Sequence, residues 1–327
     1  MLLSLFGAVE SGLIYAIMAL GVYLSFRVLD FPDLTVDGSF VTGGAVAAIS
    51  IVNGIPPIMA TVLGALAGFI VGCITGIIHT KGKINALLSG ILMMIALYSI
   101  NLRIMGQPTL SLIKETTVFK QLEVIWAKSG MDSFFNGLLQ SLGADRVPST
   151  WVIVFFMIIV TLAIKFLTDY YLKTEVGLAL RATGDNQKMI RSLSANTDSL
   201  IIVGVGVSNG LVALSGALIT QHQSVANVNM GIGMIVIGLA SVIIGEALFG
   251  KRSIAIATIA VIGGAIIYRI VVTLALRVDF LESGDMKLIT AILVILALVT
   301  PKIIQARKEK KRRLRKRAEL TSQAEGA

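Results

Sequence analysis

Runs of about twenty apolar residues recur along this chain, each long enough for a helix to cross a hydrocarbon core of roughly 30 Å. Lipid offers no partners for backbone N–H and C=O groups, so such runs must bond within themselves as helices. That excludes most folds at once. Composition agrees: 55% of the 327 residues are hydrophobic and only 14% are charged, against roughly 25% charged in a soluble domain. The 32 glycines suit the same class, because helices in lipid associate through close backbone contact at small residues. The expected fold class is all-α, a polytopic membrane protein.

Nine spans are expected, at about 3–26, 34–52, 58–78, 84–105, 149–167, 200–220, 231–249, 254–276 and 286–299. The count becomes eight if the segment after the polar break Arg27–Asp37, which contains Pro32, is re-entrant. It becomes ten if the long loop 106–148 hides a short span. Lys/Arg excess falls on the turn at Lys81 and Lys83, on Lys173 to Arg191, on Lys251 and Arg252, and on the C-terminal tail. The turns Asn53–Pro57 and Gln221–Met230 carry no Lys, Arg, Asp or Glu, and Val278–Asp285 is acidic. These groups alternate across the spans, and positive residues favour the cytoplasmic side, so the N-terminus is expected outside and the C-terminus inside. The domain organisation is then a membrane domain, 1–304, with an outer loop at 106–148 and a cytoplasmic segment at 171–197, followed by a basic cytoplasmic tail, 305–327.

The formal charge of +9 does not point to nucleic acid, because residues 301–327 alone carry a net +7. A basic tail beside a last span sits naturally at anionic lipid headgroups. Cys73 is the single cysteine, which excludes a disulfide framework and a cysteine-based metal site. No H-E-x-x-H, G-x-S-x-G or G-x-x-x-x-G-K-[S/T] occurs, so neither an enzyme nor a nucleotide hydrolase is expected, and no cofactor bound by this chain. The middle of the long loop repeats Phe119, Leu122, Ile125 and Trp126 near a helical period. Either a helix lying on the outer membrane surface or a docking platform for an extracytoplasmic delivery protein fits this pattern.

Polar residues inside spans are costly in lipid and mark cavities or partners. Asp33 and Asp37 are four apart, on one face if both are helical, beside a break that would aim a helix N-terminus into the membrane. They line a pathway on one reading and stabilise their own helix dipole on the other. Ser208 and Asn209 lie mid-span beside Gly206 and Gly210, whose spacing also suits close helix contact. Gln221 belongs to an outer mouth or to an ordinary exposed turn. Glu10 is expected to bond a neighbouring helix, and Glu246 to pair with Lys251 or Arg252. Carboxylates deep in several spans, as a proton-coupled carrier working alone would need, are missing.

The longest polar interruption in the second half is Tyr171–Thr197, YLKTEVGLALRATGDNQKMIRSLSANT. Gly177 and Gly184 bracket a short piece, LALRAT, and Asp185 or Asn186 can cap a second helix. Twenty-seven residues capped in this way exceed what a connection needs, so a helix–turn–helix element projecting from the bilayer is expected.

Three stretches carry a resemblance. Gly12–Ala48, GLIYAIMALGVYLSFRVLDFPDLTVDGSFVTGGAVAA, is similar to the N-terminal signature of permease subunits of branched-chain amino acid-type ABC importers. Gly177–Leu218 resembles their cytoplasmic coupling region and the following span, and Gly231–Gly250, GIGMIVIGLASVIIGEALFG, resembles an often uncharacterised subgroup. The resemblance implies a permease of the bacterial cell membrane that moves a small solute by alternating access. Its implied partners are a second permease subunit (a homodimer favoured), two ATPase subunits that hold ATP and Mg, and an extracytoplasmic substrate-binding protein. It also implies that Gly177, Leu178, Leu180, Arg181, Ala182, Thr183, Gly184 and Asp185 sit in a groove of the ATPase. Asp30-Phe31-Pro32-Asp33-Leu34 replaces the N-F-A-H-G-type sequence usual at the break, which leaves the solute open among amino acids and similar small polar molecules.

Overall fold

The computed structural model describes residues 2–128, 130–141, 147–193 and 195–275, with isolated positions at 288, 291, 292, 295 and 299. Among these, seven helices are long and apolar enough to cross a membrane, and an eighth apolar helix is shorter. The expected span 286–299 and the basic tail lie outside the continuously described residues.

The first span is α1, Leu2–Tyr23, continued by a π-turn at Leu24–Val28. After a break comes α2, Thr35–Val52, then α3, Pro57–Thr80, and α4, Ala86–Met105. The long loop folds into a strand β1 (Thr109–Ser111) and two amphipathic helices, α5 (Val118–Ala127) and α6 (Met131–Ser141). Then follow α7 (Val152–Lys173), the polar helix α8 (Glu175–Ser192) and α9 (Thr197–Gln223). Strand β2 (Val225–Asn227) pairs antiparallel with β1, Ala226 opposite Leu110. The series closes with α10 (Met234–Phe249) and α11 (Ile254–Ala275).

Helix α9 is the axis, packing on α1, α2 and α3. Small residues make this possible. A Cβ at Gly43 would lie 1.9 Å from the Ala213 carbonyl oxygen, and one at Gly216 would lie 1.9 Å from that of Phe40. Gly206 and Gly210 face Phe69 of α3, so the glycine spacing in α9 serves close contact with α3. Hydroxyls add cross-helix bonds: Ser208 donates to the Gly21 carbonyl at 2.7 Å and Ser215 to that of Ile14 at 2.8 Å. At the end where β1 pairs β2, Glu10 lies 3.6 Å from His222, the expected neighbouring-helix contact.

Three expectations change. Helix α7 runs six residues past the expected end at Leu167, because Lys165 and Asp169 pair at 2.6 Å within the helix and so neutralise each other while buried. Thr258 of α11 completes that site by donating to Asp169 at 2.7 Å. Glu246 pairs with Arg27 of the π-turn instead of with Lys251 or Arg252. Asp33 and Asp37 do not share a helix face: Asp33 precedes α2, so the two side chains reach different helices.

Candidate functional site

The polar interruption folds as expected into two helical pieces. Thr174 caps the first, its hydroxyl accepting from the Gly177 N–H at 3.2 Å. Asn186, at φ −159° and ψ 90°, breaks the helix. Its side chain then accepts from the Met189 N–H at 3.1 Å and so starts the second piece. Gly177, Leu180 and Thr183 are buried, Ala182 and Gly184 are half-buried, and Leu178, Arg181 and Asp185 are exposed. Arg191 closes the return to α9 by bonding Thr197 and Asp198.

The inward face of α8 lies on the π-turn. A Cβ at Gly184 would be 2.1 Å from the Val28 carbonyl oxygen, so backbone meets backbone there. Above it, Leu180 and Leu29 both crowd Gly204 of α9. The π-turn is bound on its other side, where Arg27 makes a two-point ion pair with Glu246 at the end of α10. One irregular turn therefore touches α8, α9 and α10. π-turns are uncommon and gather at functional positions.

Beyond the turn the chain enters the break. Asp30 takes a left-handed conformation at φ 52°, which Asp tolerates better than most residues. Asp33 is fully buried midway along α9, accepting from Asn209 Nδ2 at 2.6 Å and from the Thr35 N–H at 2.9 Å. Thr35 in turn bonds Thr75 of α3 at 3.0 Å. The break is thus pinned to α3 and α9.

Asp37 holds a different helix end. Its oxygens accept from the Gly233 and Ile235 N–H groups, at 2.9 and 2.8 Å, at the start of α10. A carboxylate at a helix N-terminus is favoured by the helix dipole and by the unsatisfied N–H groups there. Gly231 permits the approach, since a Cβ would stand 2.0 Å from the Asp37 carbonyl oxygen. Asp37 also lines a cavity of about 360 Å³ between α2, α4 and the segment leading into α10. Asn101 and Tyr98 of α4 face the same cavity and were not singled out in the sequence, where they stand inside an apolar run.

Of the expected pathway residues, Asp33 and Asn209 meet each other, whereas Asp37 lies apart from them at the cavity. Ser208 is buried against α1. Gln221 is buried too, donating to Thr61 at 2.7 Å and accepting from the Val118 N–H at 3.1 Å. It ties the long loop to the bundle and is not an exposed turn residue.

Residues 4–299 match the family described as branched-chain amino acid transport system / permease component. The chain belongs to that permease family. It is 44% identical to the tyrosine transport system permease protein of Clostridioides difficile, over 88% of each chain. It is 25% identical to the ribose import permease protein of Escherichia coli, over 74% of this chain and 68% of that one. A probable branched-chain amino acid transport permease of Methanocaldococcus jannaschii is 25% identical over 72% of each. No solved structure matches the chain. The protein is accordingly a multi-pass permease of the bacterial cell membrane, in a family of ABC transporter components that are not themselves catalytic.

Proposed function

We propose that this permease is the membrane-spanning subunit of an ATP-driven importer for an amino acid, an aromatic one foremost. The support for the substrate class is the tyrosine transport name carried by a relative 44% identical over most of both chains. Two copies of the permease form the pathway, two ATPase subunits bind beneath, and an extracytoplasmic binding protein delivers the solute. Nine spans place the N-terminus outside and α8 in the cytosol, following the Lys/Arg distribution.

The observation that carries the mechanism is the seat of α8. Its outer face, with Leu178, Arg181 and Asp185, is free to meet an ATPase, while Gly184 rests on the Val28 carbonyl. Closure of the ATPase pair on nucleotide moves α8 as a lever. The π-turn transmits that movement along two branches, through the Arg27–Glu246 pair to α10 and through the break to Asp33 and Asn209. Alternating access follows from the rearrangement of α2 and α10 against α9.

The experiment is ATP-driven uptake of labelled L-tyrosine into vesicles holding the permease, its ATPase and its binding protein. Arg181→Glu should abolish uptake while the protein still inserts and the ATPase still turns over. Flux through the permease alone without ATP would falsify the importer reading and favour a carrier or channel.

A further inference from the structure

The cavity between α2 and α4 contains groups that the coupling route does not use. Its walls are mostly apolar, with Val41, Met94, Ile95 and Ile232, and its polar side chains are Asp37, Asn101 and Tyr98. Asn101 is 1% exposed. Its Nδ2 donates to the Gly38 carbonyl at 3.2 Å, whereas its Oδ1 has no hydrogen-bond partner in the protein. A buried acceptor left unpaired costs about 1–3 kcal/mol, so the cavity calls for a donor.

Asp37 supplies the second acceptor. Each of its oxygens takes one backbone N–H of α10, and each retains a further lone-pair site. No Lys or Arg is among the lining residues. Two acceptors, one of them charged, with no opposing cation disfavour a carboxylate or phosphate and favour a primary ammonium. The α10 N–H groups that would otherwise attract an anion are held by Asp37 itself. The volume of about 360 Å³ suits a small ligand, and Met94, Ile95 and half-exposed Tyr98 offer an apolar and aromatic wall.

The geometry points to a solute subsite here, in which Asp37 and Asn101 bind the ammonium group of an amino acid and its aromatic or large apolar side chain lies along α4. This assignment rests on the importer reading and adds the group that the pathway recognises. Asn101 and Tyr98 are its specificity-determining residues. Asp37 carries the charge but also caps α10, so its replacement reports on folding as well as on binding.

The test uses the full importer in vesicles, with Cys73→Ser as background and Tyr98→Cys as a site for a maleimide. L-tyrosine and its decarboxylated amine, tyramine, should slow the labelling, and 3-(4-hydroxyphenyl)propionate, which lacks the amine, should not. Asn101→Leu should raise the KM for L-tyrosine about tenfold or more, as expected for losing an acceptor to a charged donor. Asn101→Asp should restore tyramine protection, which a merely structural role for Asn101 would not produce. Unchanged labelling by L-tyrosine while its uptake is intact overturns the subsite and leaves the importer reading standing. Labelling blocked equally with and without probes, as a lipid chain seated on α4 would give, also overturns it. Absent uptake of every common L-amino acid by the unmodified importer overturns the importer reading, and the subsite with it.

Discussion

Gly184 has room for a hydrogen atom and little else, since a Cβ would stand 2.1 Å from a backbone oxygen that cannot swing aside. Gly184→Ala should therefore lift α8 from the π-turn. Overpacking of this kind costs about 1–3 kcal/mol, and here it falls on the transmitting contact. Uptake in vesicles should drop about tenfold on that scale of strain while ATP hydrolysis by the partner persists. Gly137, with open space around the position, gives the matched control: Gly137→Ala should transport as the parent does. Wild-type uptake by Gly184→Ala would remove the transmission route. Gly43 is tight for another reason, being locked against Ala213 in the α2–α9 seam. Gly43→Ala should lower the melting temperature in detergent, a loss of about 1–3 kcal/mol.

Helix α7 carries a charged pair inside the bundle, Lys165 with Asp169, both side chains under a tenth exposed. Asp169→Leu alone strands a buried ammonium and should destabilise by about 3–5 kcal/mol. Lys165→Met with Asp169→Leu should recover most of that loss, because a buried pair often contributes little net stability over apolar residues of similar size. Thermal unfolding of the single and double variants decides it, and a double variant as weak as the single one would refute the pairing argument. The eight described spans were legible because apolar length is a strong signal in lipid. The end of α7 was not, since two opposite charges four residues apart read as a boundary until the helix places them side by side. The β1–β2 pair is three residues per strand, too short to show alternation, and a π-turn has no residue signature of its own. In the site, the polar interruption revealed α8 and its cap at Asn186. Asp33 and Asp37 stood out as intramembrane acids, but their partners Asn209, Gly233 and Ile235 are nearly two hundred residues away, and no local pattern predicts them.

The molecule as a whole has two unlike ends. One carries α8, the Lys81–Lys83 turn and the Arg27–Glu246 pair; the other carries the two-stranded ribbon, α5 and the Asn53–Pro57 turn. With the first end in the cytosol, as proposed, Asn53→Cys in a Cys73→Ser background should react with an impermeant thiol reagent on intact cells. Lys81→Cys should react only after the cells are opened; the reverse pattern would invert the assigned orientation. The π-turn between these regions has one more consequence. It holds an extra residue compared with a regular helical turn, so deleting one residue within Leu24–Val28 lets α1 continue as an ordinary α-helix. Everything after the deletion then rotates by about 100° relative to α1. Asp33 would turn away from Asn209 in a chain one residue shorter and otherwise intact, so the register of a single turn sets the position of the break.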